Sequence, residues 1–203
     1  MIPRIHITED MKAQARVEAN KRNDYIKHHF EVGHLTSSQR DEIGFLGEFA
    51  CCDYLGIDWK ENIRGDYLTI DDFDFKINNK RVDVKTETVP AIYAKEILTK
   101  QISDDGIYGR RLINKGQFSL LNKYDVVIFS LFVREHLDYW FPIGYIETNI
   151  ILDKYKPTYD RPDGGKYPFA ASAVPTSILK DIKELWHYDN KRGQYGANGT
   201  LSW

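Results

Sequence analysis

The sequence predicts an α/β protein in which helices precede and follow the strands of one sheet. Three observations indicate this class: an alternating hairpin pattern at residues 73–86, a continuous apolar run at 126–133, and two helix-capping signals before the hairpin. Alternation at period two is typical of a strand with one buried face, and an unbroken apolar run is typical of a central strand. A chain of 203 residues suits a single domain.

The composition indicates neither a strongly charged partner nor a disulfide framework. A net charge of −2 does not predict nucleic-acid binding, so any such surface must be local. Cys51 and Cys52 are adjacent and point in different directions on a helix, which predicts neither a disulfide nor a zinc site. The chain lacks an N-terminal apolar signal and a membrane-length run. We therefore expect a cytoplasmic protein without a membrane partner.

The first helix is predicted to begin at Thr8, a capping hydroxyl followed by two acids, and to run to about Phe30. Its apolar positions are sparse, which predicts a surface helix packed through part of one face. His28 and His29 are adjacent and cannot share a metal ion from one face, so we interpret them as ordinary surface residues.

The second helix is predicted to follow a cap within Thr36–Ser37–Ser38 and to cover about Gln39–Leu55, with Gly56 ending it. Gly44 and Gly47 each cost roughly 1 kcal/mol of helix stability relative to Ala. We expect the close approach of another element to offset that cost.

Glu48 lies in the least polar part of this helix, beside Gly47, Phe49 and Ala50. An exposed helical glutamate is the simpler reading. However, a carboxylate among apolar neighbours needs a partner, which favours a functional role for Glu48.

The hairpin is predicted to turn at Asn78–Asn79, because asparagine tolerates the positive φ angles of a tight turn. Phe75 then lies opposite Val82 on an apolar face, and Asp74 lies opposite Asp83 on the other face. A longer loop would shift the register and mix the two faces.

This register brings like charges together at about 4.5–5.5 Å between Cβ atoms, where they repel. A divalent cation such as Mg²⁺ removes the conflict, since it binds convergent carboxylates. Lys85 lies two residues beyond Asp83 and can reach the same place to polarise a phosphate or activate a water. The hairpin thus predicts a metal and phosphate site. In the alternative, the charges are scattered in solvent and Asp72 pairs with Lys85.

The segment Thr88–Gln117 is predicted to be the least regular part, with a short helix at Ala91–Leu98, and to act as a lid or binding loop. Basic residues there alternate with Tyr93 and Tyr108, a combination that suits phosphate contact and base packing. A solvated mobile loop is the alternative. The candidate nucleic-acid-binding residues are Lys95, Lys100, Arg110, Arg111 and Lys115.

The remaining elements follow from similar patterns. Residues 139–146 are predicted to return antiparallel to the run at 126–133, with Pro142 at or near a sheet edge. Short helices are expected at about 148–155 and from 175 to about 187, with a turn-rich loop between them.

This order resembles the PD-(D/E)XK nuclease superfamily, whose restriction-endonuclease-like fold has an αβββαβ core with a mixed sheet. The resemblance covers about residues 38–133. We expect a single domain, 1–203, in which the helix at 8–30 and an extension at 139–203 pack on that core. Asp83–Val84–Lys85 matches the second half-motif. Asp74 matches the first, although phenylalanine precedes it where the motif has proline.

Glu48 matches the extra acid that many members of the superfamily carry on the preceding helix. Asp66, Asp71 and Asp72 are rival candidates for the first acid, and Asp72 ranks second because it shares the face of Asp74. A strand is expected at Tyr67–Ile70.

The resemblance implies Mg²⁺-dependent hydrolysis of DNA, with Mn²⁺ as a substitute ion. Asp74 and Asp83 would bind the ion together with Glu48 and the Val84 carbonyl, and Lys85 would orient the attacking water. Members of the superfamily commonly act as homodimeric endonucleases, so DNA and a second copy are the expected partners. Two alternatives stay open: a nucleic-acid-binding or assembly protein that keeps the fold without cleaving, and an unrelated α/β protein in which Glu48 faces solvent far from Asp74.

Overall fold

The computed structural model describes residues 2–23, 35–65 and 73–187, which form a mixed α/β structure. The helices in these ranges are α1 (Glu9–Asn23), α2 (Ser37–Tyr54), α3 (Ala91–Leu98), α4 (Lys115–Phe118), α5 (Thr148–Lys154) and α6 (Lys183–His187). The strands are β1 (Ile5–His6), β2 (Phe75–Ile77), β3 (Lys80–Val89), β4 (Arg110–Asn114), β5 (Val126–Val133), β6 (His136–Glu147), β7 (Thr158–Asp160) and β8 (Lys166–Pro175). Short 3₁₀ turns cover Trp59–Asn62, Ser119–Lys123 and Thr176–Ile178.

The main sheet is mixed, with five strands in the order β1-β6-β5-β3-β2. Strands β3 and β5 are parallel, and the other pairs are antiparallel. Parallel neighbours require a long crossover, which here contains α3, β4 and α4. Strands β4, β8 and β7 form a second, smaller sheet.

Strand β5 separates two apolar layers, as its unbroken apolar run predicts. Val126, Ile128 and Phe132 pack in the layer that contains α1 and α2. Val127 and Leu131 face the other layer, with side chains from α3, β4, α5 and β8. The neighbouring β3 also contributes to both layers, with Val82 and Val84 in the first and Val89 in the second.

The predicted hairpin register is confirmed over β2 and β3. Phe75 pairs with Val82 and Ile77 with Lys80, and the turn residues Asn78 and Asn79 have φ angles of 50° and 62°. The regular ladder ends at Phe75. The next residue, Asp74, instead donates its N–H to the Val82 carbonyl at 2.9 Å, so the strict pairing does not continue to the two aspartates.

Helix α2 begins after Thr36, which forms a capping box with Gln39, and Gly56 follows its end with φ of 72°. A Cβ on Gly47 would overlap Thr86 Oγ1 and lie 2.6 Å from Thr86 Cβ, which confirms the predicted close approach of another element. The same expectation is wrong for Gly44, which has open space around it.

Other predictions need correction. The segment 88–117 is more regular than expected, because it contains α3, as predicted, and also β4. The final helix is not continuous, since a 3₁₀ turn at Thr176–Ile178 and α6 replace it. The hairpin of β7 and β8 was not predicted. Pro142 lies beyond the short pairing between β6 and β1, near an edge as expected.

Helix α1 begins at Glu9, with Thr8 Oγ1 accepting from the Met11 N–H at 3.2 Å. The predicted continuation to Phe30, with His28 and His29, lies outside the described residues. The same holds for the strand at Tyr67–Ile70 and for the rival acids Asp66, Asp71 and Asp72. No helix in the described ranges is long and apolar enough to cross a bilayer.

Candidate active site

Asp83 and Lys85 project from the middle of β3 and contact each other. Lys85 Nζ donates to Asp83 Oδ1 at 2.8 Å, and Asp83 is only 3% exposed. At both residues β3 pairs with β5, with Asp83 opposite Val127 and Lys85 opposite Phe129. The prediction that these two side chains share one place is confirmed.

Asp74 lies immediately before β2 and reaches the same segment of β3. The Val84 N–H donates to Asp74 Oδ2 at 2.7 Å, so the Asp74 carboxylate is held beside the residue that lies between Asp83 and Lys85. The predicted role of the Val84 carbonyl as a metal ligand stays a prediction.

Glu48 enters the site from α2, which packs closely on β3 at Gly47. Its side chain is buried, and its Oε2 accepts from Asn62 Nδ2 at 3.2 Å and from Arg64 Nη2 at 3.3 Å. The same Arg64 nitrogen lies 3.3 Å from Asp74 Oδ1. Glu48 therefore does not face solvent far from Asp74, which is the placement expected of an unrelated α/β protein.

Burial dominates the electrostatics of the acids. Burial raises the pKa of Asp74 well above its usual value, and the charges of Glu48 and Asp83 raise it further. Burial also raises the pKa of Glu48, although Arg64 opposes this, and it raises the pKa of Asp83 against the pull of Lys85. Nearby cations, Arg64 and Arg22 for Glu48 and Lys85 for Asp83, partly offset the effect of burial.

Lys85 stays protonated in this setting. Burial alone lowers its pKa, but Asp83 and Asp74 outweigh that effect, so the pKa is raised above its usual value. A partly buried ammonium ion beside carboxylates is suited to stabilising negative charge on a phosphate.

The donor chemistry fits a hard divalent cation, since all three acids present oxygen. Asp83 Oδ2 is buried and has no hydrogen-bond partner among the described residues, so it is an open acceptor. Within those residues, however, no group of three or more His, Cys, Asp or Glu side chains is arranged to hold a metal ion. Arg64 lies between Glu48 and Asp74, and Lys85 engages Asp83.

Three contributors escaped prediction from sequence. Asn62 and Arg64 follow α2 in a 3₁₀ turn and a short loop, where no motif or periodicity marks them. Tyr124, just before β5, is also close to the site. Burial raises its pKa to about 12, and Asp83 adds to the rise. In the sequence, the carboxylate of Glu48 among apolar neighbours was the sign that a partner had to lie nearby.

The five predicted nucleic-acid-binding residues do not form one solvent-facing set. Arg111 is 1% exposed and pairs with Glu87, and burial lowers its pKa to about 9. This placement argues against the expectation that Arg111 contacts DNA. Lys100 Nζ donates to the Leu179 carbonyl, and Arg110 pairs with Asp105 at 3.2 Å. Only Lys95 and Lys115 of the five are exposed.

Comparison of the chain with protein-family models, with curated proteins and with solved structures gave no significant match. The resemblance to the PD-(D/E)XK superfamily therefore depends on the residues and geometry of this chain alone.

Proposed function

We propose that the protein is a Mg²⁺-dependent nuclease that hydrolyses phosphodiester bonds in DNA as an endonuclease. One observation carries the proposal. Glu48 from α2, Asp74 before β2, and the Asp83–Lys85 pair of β3 meet at one largely buried place, joined by Arg64 and by the Val84 N–H. Structural stability alone does not explain three acids that are buried at one place, each with its pKa raised by burial.

The arrangement of elements supports a restriction-endonuclease-like core. Helix α2 is followed by β2 and β3, then by α3, and then by β5, which is parallel to β3. The αβββαβ order needs one more strand between α2 and β2. The strand predicted at Tyr67–Ile70 would supply it, and that segment lies outside the described residues.

Asp74 and Asp83 would hold the ion, with Glu48 and the Val84 carbonyl as further ligands. Mg²⁺ there supplies a Lewis acid for the phosphate and lowers the pKa of the attacking water. The Val84 N–H fixes the orientation of the Asp74 carboxylate. Lys85 keeps a protonated ammonium in reach of the same place, where it orients the water or stabilises charge that develops on the phosphate.

The second candidate function is nucleic-acid binding or assembly without cleavage. It is favoured by the two cations, because Arg64 bridges Glu48 and Asp74 while Lys85 pairs with Asp83. A site neutralised in this way could persist without a metal ion. The exposed Lys95 and Lys115 would serve either function as phosphate contacts.

The test is incubation of the purified protein with supercoiled, linear, single-stranded and branched DNA, in Mg²⁺, in Mn²⁺ and in EDTA. We expect cleavage that requires the divalent ion and that is lost in Lys85→Ala. Lys76→Ala is the matched control, because Lys76 is an exposed lysine of the same hairpin. DNA binding without cleavage of any substrate in either ion would favour the second candidate.

The homodimer expected by analogy is a separate proposal. Sedimentation of the protein with and without a DNA duplex tests it, and a monomer that cleaves both strands would contradict it.

A further inference from the structure

Arg64 occupies an unusual position, because one of its nitrogens serves two carboxylates. Its Nη2 atom lies 3.3 Å from Glu48 Oε2 and 3.3 Å from Asp74 Oδ1. Charge-assisted N–H···O bonds of arginine are normally about 2.7–2.9 Å long, and the strongest use both arms of the guanidinium on one carboxylate. Arg64 makes neither kind of contact with Glu48 or Asp74, so its hold on these two acids is loose.

Other contacts keep the side chain near the acids without fixing it to them. The guanidinium carbon lies 5.6 Å from the centre of the Phe45 ring, within the range of a cation–π contact. Phe45 is a fully buried residue of α2, one helical turn from Glu48. The Arg64 side chain keeps 17% of its surface exposed, so solvent reaches part of it.

We propose that Arg64 is a resident cation that a divalent ion displaces from between Glu48 and Asp74, and that the displaced guanidinium then binds a phosphate of the substrate. This inference rests on the proposed function, since it concerns the same acids. Mg²⁺ contacts carboxylate oxygens at about 2.0–2.1 Å, far closer than Arg64 does, and carries twice its charge. Two cations this close repel, so the ion and the guanidinium exclude each other.

The displaced guanidinium of Arg64 is suited to binding a phosphate. The planar fork of a guanidinium matches the paired oxygens of a phosphate better than an ammonium does. Arg64 would thus be a positioning residue in one state and a substrate-binding residue in the other. Before Mg²⁺ binds, the Arg64 guanidinium offsets part of the negative charge of the acids. This role accounts for its place between Glu48 and Asp74 in this structure.

The test begins with calorimetric titration of Mn²⁺ into the full-length protein without DNA. We compare the wild type with Arg64→Gln and with Arg64→Met, which keeps an apolar stem on Phe45 and serves if the first variant does not fold. We expect the neutral variants to bind Mn²⁺ at least about tenfold more tightly. Arg161→Gln is the matched control, because Arg161 pairs with Asp163 in a distant surface loop and should leave the affinity unchanged.

The second measurement is the affinity for a DNA duplex in Ca²⁺ and in EDTA. We expect Arg64→Gln to bind DNA at least about fivefold more weakly than the wild type in Ca²⁺ and equally in EDTA. A merely structural role for Arg64 would not produce tighter metal binding together with weaker, ion-dependent DNA binding.

The outcomes separate this inference from the proposed function. Wild-type Mn²⁺ binding that is unchanged or weakened in the neutral variants overturns the exchange of cations and leaves the nuclease proposal standing. Equal DNA affinity of Arg64→Gln and the wild type in Ca²⁺ overturns the phosphate contact. No Mn²⁺ binding by the wild type or by either neutral variant overturns the metal site and the nuclease proposal with it.

Discussion

The contact between α2 and β3 can be tested by adding one methyl group at Gly47. The built Cβ would overlap Thr86 Oγ1 and lie 2.6 Å from Thr86 Cβ. The hydroxyl cannot turn away freely, because it shares a 2.8 Å hydrogen bond with Ser130 on β5. The Cβ of Thr86 moves only with the backbone of β3. Helix α2 and the sheet must therefore separate to accommodate the alanine in Gly47→Ala.

The magnitude follows from two opposing effects. Replacing a helical glycine by alanine stabilises a helix by roughly 1 kcal/mol. Overpacking in a close-packed contact costs about 1–3 kcal/mol, and loss of the Thr86 hydrogen bond adds about 1 kcal/mol. We expect Gly47→Ala to lower the free energy of unfolding by about 2 kcal/mol.

Gly44→Ala is the matched control, because it lies one turn earlier in the same helix with nothing within 4 Å of its built Cβ. Gly44→Ala should raise the free energy of unfolding by about 1 kcal/mol, through helix propensity alone. Urea denaturation measures both changes. For a chain of this size they correspond to a melting temperature about 6 °C lower for Gly47→Ala and about 3 °C higher for Gly44→Ala.

The same pair of variants connects packing to the site. Glu48 follows Gly47 directly, so a shift of α2 moves Glu48 away from Asp74. Gly47→Ala should lower DNA cleavage as well as stability, whereas Gly44→Ala should leave cleavage unchanged. A Gly47→Ala variant that is as stable as the wild type would refute the proposed packing of α2 on β3.

Three further predictions concern the acids and the hairpin. The pKa of Asp74 is higher in the folded than in the unfolded state, so protonation of Asp74 stabilises the fold below about pH 4. That stabilisation is lost as the pH rises through the raised pKa. Asp74→Asn should therefore raise the free energy of unfolding by about 1 kcal/mol at pH 7 and not at pH 3.5, as denaturation at both values will reveal; an equal effect at both would contradict it. Saturating Mg²⁺ should raise the melting temperature of the wild type by several degrees and that of Asp83→Asn much less, because only a bound ion stabilises the fold; equal shifts would point to a nonspecific salt effect. Asn79→Gly should stabilise the hairpin by up to about 1 kcal/mol, since φ is 62° there, and a loss of stability in denaturation would argue against the observed turn.

The parts of the structure that follow local rules were predictable from sequence. Asn78–Asn79 fixed the hairpin register because few residues tolerate its φ angles, and alternation identified the buried face. Gly47 and Glu48 stood out because each carries a local cost that only a neighbour can offset. The capping hydroxyls of Thr36–Ser37–Ser38 located the start of α2 within a turn.

The parts that depend on distant partners were not predictable. Arg64 acquires its role from Glu48 and Asp74, which only the fold brings near it. Arg111 resembles a surface arginine in the sequence, but Glu87 on β3 pairs with it in the interior. A basic residue among aromatics has the same local signature in both settings, so composition could not separate a buried pair from a DNA contact.

The most direct test of the central claim is the rate at which Asp83→Asn nicks supercoiled plasmid in saturating Mg²⁺, relative to the wild type. Asparagine keeps the shape of the side chain and removes the charge that would hold the ion beside Lys85. We predict a loss of about a hundredfold or more while the protein remains folded. A folded Asp83→Asn variant that nicks plasmid at the wild-type rate would contradict the assignment of these acids as a nuclease site.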